Sequence, residues 1–328
     1  MKKYKKLISI LALVAIILGI LPLSIFASED DDIADIEAPL EPEIKITELV
    51  DRREESIKHF KMPDGTYNAI SYAGAVHRKN SDGEWIDINN DLSLKTVGSK
   101  QLYTTNDSRI TFAKAYSSNE DIMTLRENGY AISMALLSNQ NDDDDMSMDM
   151  NATASLVTVD NANYSRPESF DTIDEAIEIN NKSSISYSNV LADTDIEYVM
   201  NGNDIKENII VKDRAESYVY AFSLSLDGLI PVLDESGAIY LNDEESGDTK
   251  YVIPAPYMYD ANDEYSEEVY YELFHVGGDK YLLTVTADEN WINDEERAFP
   301  VTVDPTISSS GPSADTYVSS TKPMSQHG

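Results

Sequence analysis

YVYAFSLSL, residues 218–226, decides the fold class. Tyr218, Tyr220, Phe222, Leu224 and Leu226 alternate with Val219, Ala221, Ser223 and Ser225. A period of two places the large apolar side chains on one face of an extended chain, which is the mark of a half-buried strand. A DGL turn follows at once. Further on, VYYELFHV (269–276), Gly277-Gly278 and YLLTVTA (281–287) predict a hairpin. Upstream, YNAISY (67–72), GAVHRK (74–79), EWIDIN (84–89), RITFAKAY (109–116) and YAISMALL (130–137) are short and rich in β-formers. Turn signals such as PDG (63–65) and NSDG (80–83) punctuate this series. Short strands at close spacing predict a mainly β protein of two β-sandwich-like or barrel-like domains.

One helix is expected. Ile46, Leu49, Val50, Ile57 and Phe60 fall at helical spacing, and Glu54 stands four residues before Lys58. This predicts a short helix opening a first β-rich domain at 46–137. The stretch SNQNDDDDMSMDMNATAS then offers no face to bury, so residues 138–154 read as an acidic linker or loop. A second β-rich domain is expected over 155–306. Residues 307–328 read as a linker and the truncated start of another strand module, with too little apolar area to order itself.

At the other end, Lys2, Lys3, Lys5 and Lys6 precede an apolar run from Leu7 to Phe26 that closes on Ala27. A basic start, an apolar stretch and a small residue before a polar chain predict a signal peptide at 1–27. Residues 28–45, acidic and proline-bearing, read as a disordered leader. The protein is therefore expected outside the cell or in the cell wall.

Composition narrows the partners. The chain has 328 residues, 60 acidic against 25 basic, a net charge of −35 and no cysteine. Such a charge repels polyanions, so the expectation is no nucleic-acid partner and, after signal cleavage, no membrane partner. Oligomeric state is left open. Without cysteine there is no disulfide framework and no thiolate metal site.

Chemistry is sparse in the sequence. His59, His77, His275 and His327 show no zinc-ligand spacing, and neither a nucleophile elbow nor a P-loop is present. No catalytic residue is expected, and the chain reads as not an enzyme. One cation candidate stands out in YDANDEYSEE (259–268), where Asp260, Asn262, Asp263 and Glu264 offer the oxygen ligands that suit calcium. Tyr265 replaces the glycine of a helix–loop–helix calcium loop, so a solvated hairpin tip is the preferred reading. No other cofactor is expected. Trp85 and Trp291, the two tryptophans, are expected to pack rather than to present sugar platforms.

Several stretches also carry a resemblance. IKHFKMPDGTYNAISYAGAVHRKNSDGEWIDINNDL (57–92), NVLADTDIEYVMNGNDIKENIIVKD (189–213), YVIPAPYMYDA (251–261) and WINDEERAFPVTVDPTI (291–307) follow one another in order. Together they resemble the N-terminal region of clostridial secreted proteins that continue into DNRLRE and RHS-repeat regions, of the wall-associated-protein type. ADTYVSS (314–320) is similar to the opening strand of the DNRLRE module, which is related to carbohydrate-binding modules. The resemblance implies a fragment of a longer surface protein that meets cell-wall or extracellular polysaccharide through a module further downstream. Three functions stay open. The first is a non-catalytic exported region, structural or adhesive. The second is the export and display portion of an RHS-type wall-associated toxin. The third is a glycan-cleaving hydrolase.

Overall fold

The computed structural model describes residues 45–307, except 73, 81, 138–155, 163–166 and 179–180. The expectations for the signal peptide, the leader up to residue 44, the acidic stretch at 138–154 and the tail beyond residue 307 fall outside the described residues.

The chain is mainly β, and its sheets stay open rather than closing into a barrel. One eight-stranded antiparallel sheet runs in the order Val269–Gly277, Lys280–Ala287, Val219–Asp227, Tyr130–Leu136, Met123–Glu127, Ile110–Ala113, Lys100–Thr105 and Leu92–Val97. At its centre the alternation of residues 218–226 does what its period requires. Tyr218, Tyr220, Phe222, Leu224 and Leu226 are buried, while Val219 on the opposite face is exposed. Register puts Leu224 beside Met134 and Leu226 beside Ile132, so neighbouring strands bury the same face. Each such side chain contributes about 1.5–3 kcal/mol when fully buried.

A second sheet orders Val157–Asp160, Lys182–Leu191, Thr194–Asn201, Asp204–Val211, Val301–Asp304, Tyr257–Tyr259 and Tyr265–Ser266, with Thr306–Ile307 also pairing with Asp204–Val211. The two sheets pack face to face. The ring of Tyr198 lies 5.3 Å from that of Phe112, and the Tyr187 hydroxyl donates to the Ala113 carbonyl at 2.6 Å. A three-stranded sheet, Leu229–Leu233, Ile239–Asp243 and Thr249–Ile253, adds Ile239, Leu241, Tyr251 and Ile253 to the same core.

This arrangement corrects the expectation of two separately cored domains divided at residues 138–154. Tyr130–Leu136 pairs directly with Val219–Asp227, so strands from both sides of that stretch build one sheet and one core.

The predicted N-terminal helix is absent. Ile46–Glu48 and Ile57–Lys61 are strands, joined through a single 3-10 turn at Val50–Arg52. They pair with each other, with Ser169–Phe170 and with Tyr67–Ser71 in a four-stranded sheet. Two-sided pairing satisfies the backbone of Ile46–Glu48, and β-branched Ile46, Thr47 and Ile57 suit it. This sheet has a core of its own that is small: Ile46, Phe60, Phe170 and Ala176 are its buried residues. Ala176 comes from the short helix Ile173–Ile177, which Thr172 and Glu175 close with reciprocal capping bonds. Beside it lies a separate two-stranded sheet, His77–Lys79 with Trp85–Asp87. Among the described residues no helix is long and apolar enough to cross a membrane.

Candidate functional site

The densest chemistry lies where the small sheet meets the two-stranded one. In Ile57–Lys61 the alternation turns Lys58 and Phe60 to the same face, and both are fully buried. Phe60 fills the small core, so Lys58 must carry its ammonium into the interior. Its Nζ is in direct contact with Asp87 Oδ1 and lies 3.6 Å from Glu48 Oε1. Arg53 spans the same two acids, with Nε donating to Glu48 at 2.8 Å and Nη2 to Asp87 Oδ2 at 2.7 Å. His77 completes the group: its Nε2 is 3.5 Å from both Glu48 Oε1 and Asp87 Oδ1. Its Nδ1 is 2.6 Å from the Glu54 carbonyl oxygen. A carbonyl only accepts, so the Nδ1 proton is assigned there and Nε2 is left facing the carboxylates. Burial pushes the Glu48 carboxyl upward. The contacts from His77 and Arg53 and the charges of Lys58 and Arg53 outweigh burial and hold it well below the usual carboxylate range.

Glu48, His77 and Asp87 bring ligand atoms within 4.8 Å of one another, a spacing that one metal ion could span. Yet Lys58 already lies against the same oxygens, and Lys58 with Arg53 balances both carboxylates. A dication would add net charge to carboxylates that are already balanced. The trio is a charge network.

The predicted calcium ligands fare differently from one another. Asp260 is buried, and each of its oxygens has two donors. Oδ1 accepts from the backbone N–H of Asn262 at 2.8 Å and of Glu264 at 3.0 Å. Oδ2 accepts from Ala298 N–H at 3.1 Å and from Arg297 Nη1 at 3.3 Å. Asp260 thus ties the 260–264 turn to residues 297–298. Asn262, Asp263 and Glu264 sit exposed at that turn. Trp291 packs against the main core with the Arg297 guanidinium 4.2 Å from its ring centre, while half-buried Trp85 has Lys79 Nζ 5.1 Å from its own.

Sequence reasoning missed the buried cluster. Lys58 was matched to Glu54, four residues away, but Glu54 pairs with His59 at 3.0 Å. The available signal was the position of Lys58 two residues before Phe60, on the inward face of a strand.

No family model matches the chain, and no solved structure matches it. Among curated proteins, it is 27% identical over 288 residues to the tRNA nuclease WapA of Bacillus subtilis strain 168, covering 85% of this chain and 11% of that protein. It is 26% identical over the same length to the tRNA3(Ser)-specific nuclease WapA of Bacillus spizizenii. The chain therefore spans about a ninth of the length of these relatives (11%). Two expectations fall on this finding: that the protein is not an enzyme, and that nucleic acid is not among its partners. A net charge is summed over all residues and does not report which partner a particular surface engages, so it could not carry that exclusion.

Proposed function

We propose that this chain is the export and display portion of an RHS-type, wall-associated nuclease that acts on tRNA. The observation that carries the reading is the continuous similarity to WapA nucleases over 85% of the chain, against 11% of their length. Supporting it is the resemblance of residues 57–92, 189–213, 251–261 and 291–307 to surface proteins that continue into RHS repeats, with a leader suited to secretion in front. In this reading the two-sheet body is a platform held at the cell surface, and tRNA cleavage belongs to another part of the longer protein. The reading replaces that of an exported region with no enzymatic role.

The test compares the product of the whole gene with the 328-residue chain. The whole product is expected to cleave tRNA and to fractionate with the cell wall. The 328-residue chain is expected to reach the exterior and to leave tRNA intact. Cleavage of tRNA by the 328-residue chain, or retention of the whole product in the cytoplasm, overturns the reading.

A further inference from the structure

We propose that Lys58 and Asp87 form an intramolecular isopeptide bond, an amide between Lys58 Nζ and Asp87 Cγ that covalently joins the four-stranded sheet to the His77–Lys79/Trp85–Asp87 hairpin. The two residues lie in contact, and Lys58 is fully shielded from water. Each role of an acyl transfer has a group in place. Lys58 Nζ is the nucleophile and the Asp87 carboxyl the electrophile. Arg53 Nη2, 2.7 Å from Oδ2, holds the oxygen on which negative charge collects in the tetrahedral intermediate. Lys58 Nζ, in contact with Oδ1, passes one proton directly to it, and His77 Nε2, 3.5 Å from Oδ1, relays the second to the departing oxygen, while Glu48 Oε1, 3.6 Å from Nζ, stays ionised and orients the lysine.

The atoms balance without a co-reactant. An ammonium and a carboxylate become an amide and one water. The N–C bond forms, the Cγ–Oδ1 bond breaks, and two protons from nitrogen leave with Oδ1, one directly and one by way of His77, which returns to its starting state. Two physical terms favour the product. The partners are held together by the fold, which replaces a bimolecular encounter. Amide formation also removes the fully buried charge of Lys58 and the half-buried one of Asp87, whose desolvation an ion pair offsets only in part.

The location gives the bond a purpose. Among the described residues the small sheet and its helix bury four hydrophobic side chains in their own cluster, and the hairpin strands pair only with each other. Cysteine is absent from the whole chain, so a disulfide cannot join them. Small cores of this kind need a staple.

The test is a tryptic digest of the folded, purified chain after denaturation, read by mass spectrometry. The expected product is one branched peptide joining residues 54–61 to residues 80–95, lighter by one water than the two together, with no cleavage after Lys58. Recovery of residues 54–58, 59–61 and 80–95 as separate peptides overturns the proposal. So does a water loss confined to a cyclic imide at Asp82-Gly83, which mild alkali reverses. Lys58→Arg keeps a cation in the cluster but removes the nucleophile, and is expected to abolish the branched peptide. Its persistence in that variant would place the bond elsewhere and overturn the assignment.

Discussion

Two buried carboxylates show how environment sets the role of a residue. Asp260 is surrounded by donors: three backbone N–H groups and the Arg297 guanidinium. Asp260→Ala strands all of them, and is expected to destabilise the protein by roughly 2–4 kcal/mol in denaturant titration. A loss under about 1 kcal/mol would mean that water replaces the lost acceptor at that turn. Glu207 faces the opposite situation. Burial, and to a lesser extent the charge of Asp304, push its carboxyl up to about 8, against the lowering effect of the Tyr198 hydroxyl that donates to it at 2.8 Å. In the unfolded chain it titrates near 4.5. Below that pH both states hold the proton. Between the two values the folded state keeps a proton that the unfolded state has released, so raising the pH lowers stability across that window. Glu207→Gln is expected to flatten this part of the pH–stability curve and to be more stable than the parent at pH 8. An unchanged slope would show that Glu207 is already ionised in the fold.

Between elements, a close approach occurs at the turn joining Thr194–Asn201 to Asp204–Val211. Gly202 takes φ +61°, and a Cβ there would lie 2.6 Å from the Ala75 carbonyl oxygen. Asn90 reinforces the seam, since its Nδ2 donates to the carbonyls of Asn181 and Gly202 at 2.8 and 2.9 Å. Gly202→Ala is expected to cost roughly 1–3 kcal/mol through backbone strain alone, with the loop at Ala75 giving way as well. Faster amide exchange at Ile88, whose N–H bonds the Val76 carbonyl, would report that movement; an unchanged rate would mean the loop does not support the hairpin. At this scale strands of the first large sheet were legible from their β-formers and alternation, as in 218–226, whereas the central strands of the second, Lys182–Leu191, Thr194–Asn201 and Asp204–Val211, went unread. The stretch from Ile46 to Phe60 misled because its apolar residues satisfy a helical spacing equally well. Long-range pairing decided the outcome: Glu48 lies opposite Phe60, and Thr47 lies between Ser169 and Lys61. The Lys58 cluster was illegible for a related reason, since its partners are 10 to 29 residues away and come together only through that pairing.

For the molecule as a whole, the dominant sequence feature is a charge of −35. That total could not reveal that acids inside the fold have partners of their own. Asp260 has its donors, Glu48 and Asp87 have Lys58 and Arg53, and Asp304 has Lys206 at 2.5 Å. The acids left for solvent cations are those on the surface, Asp263 and Glu264 among them. Cations should therefore act by screening, which falls off over about 10 Å at 0.1 M salt, and not by occupying a cage. Calcium and magnesium at millimolar concentration are expected to raise the melting temperature by similar small amounts, without saturating. Sodium chloride at higher concentration should reproduce most of the rise. A saturable shift produced by calcium alone and lost in Asp263→Ala would show an ion held at the 260–264 turn. Since Asp260 is already fully bonded, such an ion would have to draw its ligands from the exposed side chains and the backbone carbonyls of that turn.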